Sequence, residues 1–206
     1  LCGTNQPNST SPYYPLAANN VSGGVWVNGS TSAFDDPMLV QTGALTYTGY
    51  FLSGAGKKLF LPNRPANTSN NRGRRDFTAQ TGIVYYSLMI KVDSIYTMSS
   101  STSATGEYLT GLYPNANMTN ANGRGQICFR QHATVGKYQI GVRAQQTQGA
   151  TVWASAALDS GVTYLVAVSY QRTTFTANLW INPILTGSEP TPDATNAATS
   201  DALTNM

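Results

Sequence analysis

The chain has 206 residues, of which 10% are charged and 41% hydrophobic, and it carries a formal net charge of +3. That length fits one large all-β domain, and so little charge leaves surface polarity to Thr, Ser, Asn, Gly and Gln, as in secreted proteins. The weak positive balance argues against a nucleic-acid-binding protein, and no apolar run of 18 residues offers a membrane span.

Residues 1–24, LCGTNQPNSTSPYYPLAANNVSGG, contain Pro7, Pro12 and Pro15 and no sustained period. They read as an extended N-terminal arm. Short strand candidates follow at 25–27, 37–40, 44–51, 57–61, 75–80, 82–93, 106–113, 125–131, 136–144, 150–157, 161–171 and 174–182. No stretch carries a helical stripe, and Gly, Pro, Asn and Ser clusters separate the strands. The pattern predicts an all-β, two-sheet antiparallel sandwich of jelly-roll type over residues 25–206.

Within these strands the alternation assigns faces. Val84, Tyr86, Leu88, Ile90 and Val92 share one face of 82–93, with Lys91 and Asp93 turned to water. Tyr138, Ile140 and Val142 alternate with Lys137, Gln139 and Arg143, and Phe175, Ala177, Leu179 and Ile181 alternate with Thr176, Asn178 and Asn182. The first set of each is expected in the core and the second in solvent. SSSTSATG, ending at Gly106, reads as a flexible loop, and residues 189–201 as a polar, extended tail segment with Pro190 and Pro192.

Six of the twelve basic residues fall between Lys57 and Arg75: Lys57, Lys58, Arg64, Arg72, Arg74 and Arg75. No recognition helix or RNA-binding signature accompanies them, so they read as a solvated loop suited to an acidic neighbour or an anionic glycan, not to nucleic acid. N-x-[ST] sequons at Asn8, Asn20, Asn28, Asn67 and Asn117 are candidate glycosylation sites. The two cysteines, Cys2 and Cys128, would bridge the arm to an internal strand in an oxidising compartment; the alternative is two unpaired small hydrophobes. An export signal, if the chain is secreted, lies outside these residues or has been removed.

The series GIVYYSLMIKVDS, GEYLTGLYP, GRGQICFR, YQIGVRA, LDSGVTYLVAVSYQ and ANLWINPILTGSEPTPDATNAATSDALTN resembles the concanavalin A-like (LamG-like) jelly-roll domains of secreted bacterial, Bacteroidetes-type surface proteins. The likeness covers roughly residues 25–206, and its most specific element is LWINP…GSEPTPDAT. It implies the fold and an extracellular or cell-surface location; it implies little about activity, because function resides in sites and not in folds. Such domains usually have an opening strand, for which LCGTNQPNSTSPYY is a poor substitute, and usually continue with one or two more strands. An open edge is therefore expected, its missing strand either lying outside these residues or supplied by another copy.

Glucanases of similar fold resemble one another in an E-x-D-x-E strand. Here the only glutamates, Glu107 and Glu189, lie 82 positions apart, and the spacing does not bring Glu107 to Asp93 or Asp159. His132, the only histidine, sits in the turn-like QHATVGK with no G-x-S-x-G elbow to serve. One His and two distant Cys give no zinc set. Asp35 and Asp36 before Pro37 read as a turn pair and not as a calcium site. No enzyme, metal or cofactor is expected.

Trp26, Trp153 and Trp180 are the candidate glycan or partner contacts, with Tyr13, Tyr14, Tyr47, Tyr50 and Tyr113 as further flat faces. Trp180 is singled out because it opposes Leu179 and Ile181 across its strand. The sequence thus leads to a non-catalytic, extracellular structural or adhesive β-sandwich that self-associates as a homopolymer, a surface filament built by strand or arm exchange. The rival reading is a carbohydrate-binding module of a larger secreted protein.

Overall fold

The computed structural model describes residues 26–28, 39–41, 43–50, 54, 58–61, 73–75, 77–78, 80–113, 123–145 and 149–199. The chain divides into two compact units, Leu1–Thr78 and Ala79–Met206. In the first, β1 (Trp26–Asn28) pairs antiparallel with β4 (Gly73–Arg75), and β2 (Leu39–Gln41) with β3 (Lys58–Phe60). Of the strand expected over 44–51, the described residues 44–50 form none. Tyr50 N–H donates to the Tyr47 carbonyl at 3.3 Å and Gly54 N–H to that of Leu45 at 3.0 Å, while Gly49 takes φ +85°. A left-handed glycine ends the period that LTYTGYF suggests. Of the strand expected at 75–80, Arg75 alone lies in β4.

The second unit contains the sandwich. Its four-stranded sheet has the order β13 (Ala194–Ala197), β12 (Thr176–Ile181), β11 (Thr163–Gln171), β5 (Ile83–Lys91). Its five-stranded sheet runs β10 (Leu158–Asp159), β8 (Lys137–Gln145), β7 (Arg124–Gln131), β6 (Glu107–Leu112), with β9 (Val152–Trp153) also on β8. Every pairing is antiparallel. The two-sheet antiparallel architecture is the one expected.

Register shows why the core sits where it does. Val168 lies between Tyr86 of β5 and Leu179 of β12, and Leu179 faces Ala194 of β13, so one continuous row fills the inner face. Opposite it, Ile127 pairs with Val142 and Phe129 with Ile140. All of these except the partly buried Tyr86 are buried core residues, and Leu179, Val166, Val168, Ile140 and Val142 are fully inaccessible. The expected inner faces of 82–93, 136–144 and 174–182 are all correct.

Three readings change. The polar segment after Glu189 is not merely an extended tail, since Ala194–Ala197 is a paired strand. Its low β-propensity is overridden by Asn196, whose buried amide accepts from Ala144 N–H at 2.8 Å and donates to the Ala150 carbonyl at 3.1 Å, tying this edge to the opposite sheet. The strand expected over 150–157 contracts to the two residues of β9. The side of β8 assigned to solvent is covered, with Gln139 at 7% and Arg143 at 5% exposure.

The inner layer also holds buried phenols. Tyr86 donates to the Gly125 carbonyl at 2.5 Å, whereas the Tyr138 hydroxyl is buried with no hydrogen-bond partner. Burial, before any neighbouring group, raises the pKa of Tyr86, Tyr108 and Tyr138. A pKa higher in the folded than in the unfolded chain gives stability that is complete below about pH 10 and is lost as the pH climbs past it. Melting temperature is therefore expected to fall as the pH is raised above about 10, and less steeply for Tyr138→Phe. Identical alkaline profiles for the two proteins would contradict the buried placement of that hydroxyl.

Candidate functional site

The outer face of the five-stranded sheet gathers the densest set of chemically capable side chains. Register sets Cys128, Gly141 and Trp153 in one cross-strand row, with Arg130 beside Gln139 and Gln126 beside Arg143. Gly141 is required there. A Cβ would meet Thr151 Cγ2 at 2.5 Å, Trp153 Cε3 at 2.7 Å and the Val152 carbonyl at 2.7 Å. The absent side chain lets the Trp153 ring lie down over the sheet, with the Arg130 guanidinium 4.3 Å from the ring centroid.

Around this stack the guanidinium groups hold backbone. Arg130 Nε donates to Gln139 Oε1 at 2.9 Å and Nη1 to the Ser103 carbonyl at 2.6 Å. Arg143 Nη2 donates to the Thr105 carbonyl at 3.0 Å and to Cys128 Sγ at 3.4 Å, while Nε reaches Thr151 Oγ1 at 3.4 Å. Thr151 N–H donates to the Ala104 carbonyl at 3.0 Å. The loop expected to be flexible is thus a fixed third layer, seated by its carbonyls on two arginines. Serine-rich composition signals exposure only while nothing buried needs those carbonyls. Cys128 is a free thiol with no exposure, and its expected partner Cys2 lies outside the described residues.

Trp180 does oppose Leu179, as expected, but the chain covers it. It is 4% exposed; Nε1 donates to the Pro190 carbonyl at 2.8 Å, and the ring stacks on Tyr85 with centroids 6.4 Å apart. The β12–β13 loop therefore folds back across the outside of the four-stranded sheet, fixed also by Tyr85 donating to Glu189 Oε2 at 2.7 Å. Tyr85 remains 55% exposed and is the aromatic that sequence reasoning missed. Its signal was its place on the polar phase of 82–93, where an aromatic has no core role.

Glu107, Asp93, Asp159 and His132 all have local partners. Glu107 accepts from Ser99 Oγ at 2.6 Å, Asp93 pairs with Lys91 at 3.0 Å, and Asp159 pairs with Lys137. His132 Nδ1 accepts from Thr134 N–H at 2.9 Å in the β7–β8 turn. Among the described residues no three of His, Cys, Asp and Glu gather as for a metal.

Asn8, Asn20, Asn67 and Asn117 lie outside the described residues, as do Tyr13, Tyr14, Asp35 and Asp36. Asn28 ends β1 opposite Gly73, one residue beyond the strand expected at 25–27, and Trp26 opens β1 opposite Arg75. Of the basic cluster, Lys58 lies in β3 and Arg74 and Arg75 in β4, whereas Lys57, Arg64 and Arg72 fall outside the described residues. No helix among the described residues is long and apolar enough to cross a membrane. No family model, curated protein or solved structure matches the chain.

Proposed function

We propose that this is a non-catalytic extracellular structural or adhesive protein, concanavalin A-like in its sandwich, which self-associates through addition of an extended segment to a sheet edge. One observation carries the reading: β5, a nine-residue strand of unbroken register, is the outermost strand of its sheet among the described residues. Its outward Ile83 and Tyr85 are 50% and 55% exposed. A long, apolar outermost strand is where a neighbour's extended chain adds, gaining main-chain bonds and side-chain contact together. Further support comes from Trp153 and Trp180, which serve as internal cover, and from the sparse charge and sequons expected of a secreted surface.

The arm, residues 1–24, is the proposed donor. An exchange that is head to tail grows a filament unless its rotation closes a ring. Deleting residues 1–20 is expected to leave folded monomers in sedimentation where the full chain gives polymers visible by negative stain. A full-length chain that stays monomeric at high concentration overturns the proposal.

A carbohydrate-binding module is the second reading, favoured by Tyr85, a half-exposed aromatic face beside the Glu189 carboxylate. A glycan array separates the two. Saturable binding abolished by Tyr85→Ala would support the module.

A further inference from the structure

The exposed apolar side chains of the sandwich are not scattered. β5 leaves its sheet at Lys91, opposite Thr163 where β11 begins, and Gly161 N–H bonds the Val92 carbonyl at 2.7 Å. β7 turns into β8 at the same end, since Gln131 Nε2 donates to the Met98 carbonyl at 3.2 Å and Tyr138 is paired with Leu158. The end of β12 arrives there too, Asn182 N–H donating to the Leu165 carbonyl at 2.7 Å. Four loops therefore meet at one pole. Their tips carry Tyr96 at 92%, Val135 at 96%, Val162 at 44%, and Ile184 and Leu185 at 75% and 52% exposure.

We propose that this pole is a lipid-contacting surface, its four loop tips entering the interfacial layer of a bilayer without spanning it. Tyr96, Val135 and Ile184, each 75% exposed or more, stand out on separate loops, so they make separate projections and not a face. A rigid protein partner would need a matching pocket for each tip and about 1,000 Å² or more of complementary surface. A fluid lipid layer conforms to every projection, and binding scales with the apolar area inserted.

The surrounding chemistry agrees. Tyr96 is an aromatic with a polar end, the kind of side chain that settles at headgroup depth. Both lysines at this pole are neutralised, Lys91 by Asp93 and Lys137 by Asp159, while the carboxylates of Glu107 and Asp193 accept hydrogen bonds from Ser99 Oγ and Ile181 N–H. The surface is therefore matched to zwitterionic lipid and does not depend on anionic headgroups. The inference is independent of strand exchange, which concerns the edge of a sheet.

Flotation of the full chain with phosphatidylcholine vesicles tests it. The wild type is expected to float, and the combined variant Tyr96→Ser, Val135→Ser, Ile184→Ser to lose at least about tenfold in partition coefficient, the equivalent of roughly 1.4 kcal/mol. Its melting temperature is expected to be unchanged, as these side chains support no core. Val152→Ser, 38% exposed and paired with Val142 away from the pole, is expected to float like the wild type. In a second readout, Tyr96→Trp emission is expected to shift to the blue on vesicles and to be quenched by brominated acyl chains. Failure of the wild type to float in excess lipid, or equal flotation of the triple variant, overturns the proposal. Tip-dependent dimers without lipid would assign the pole to a second copy instead.

Discussion

Leu179→Ala is expected to lower the unfolding free energy by about 2–5 kcal/mol, the range for removing a large aliphatic side chain from a packed interior. Leu179 has no accessible surface, with Val168 and Ala194 on either side and the five-stranded sheet above it. Two sheets held by backbone ladders cannot collapse far into the space left behind, which places the effect toward the upper part of that range. Denaturant titration followed by circular dichroism measures it. A loss below about 0.5 kcal/mol would mean that this face of β12 is not the core face.

Gly141→Ala is expected to cost about 1–3 kcal/mol, by overpacking in place of a cavity. The added carbon would sit 2.7 Å from the Val152 carbonyl and 2.5 Å from Thr151 Cγ2, so β9 itself must move. With β9 displaced, Trp153 loses its seat and Arg130 its aromatic partner. Tryptophan emission is thus expected to shift to the red in the folded state, while the core between the sheets persists. Wild-type stability with unchanged emission would show that the outer layer tolerates a side chain at this position.

These two substitutions also mark what the sequence could and could not convey. Leu179, Val168 and Ile140 announce their burial by period-two alternation, because a strand in a sandwich has one inner face and the pleat counts it out. The same rule put Trp180 opposite Leu179, correctly. It could not show that residues after Asn182 return across the sheet to cover that indole, since coverage is a tertiary fact with no local period. For Gln139 and Arg143, alternation gave the right side of the strand but the wrong solvent, as a third layer sits on them. In Ala194–Ala197 neither propensity nor pattern signals a strand, and it is held by long-range hydrogen bonds, Thr195 to Asn178 of β12 and Asn196 to Ala144 of β8. The 44–51 segment errs the other way, alternating well until Gly49 takes a φ of +85° and the chain turns.

The two arginines under the loop ending at Gly106 have one more consequence. Arg143 lies over Cys128, and the lid formed by that loop and β9 lies over Arg143, so the thiol communicates with solvent only when the lid lifts. Lifting breaks a few hydrogen bonds to backbone carbonyls and leaves the inner core untouched, so it is a sub-global opening far less costly than unfolding. The sulfur is in effect a built-in clock: its rate of alkylation counts the breathing of the outermost layer, while the rest of the sandwich stays closed.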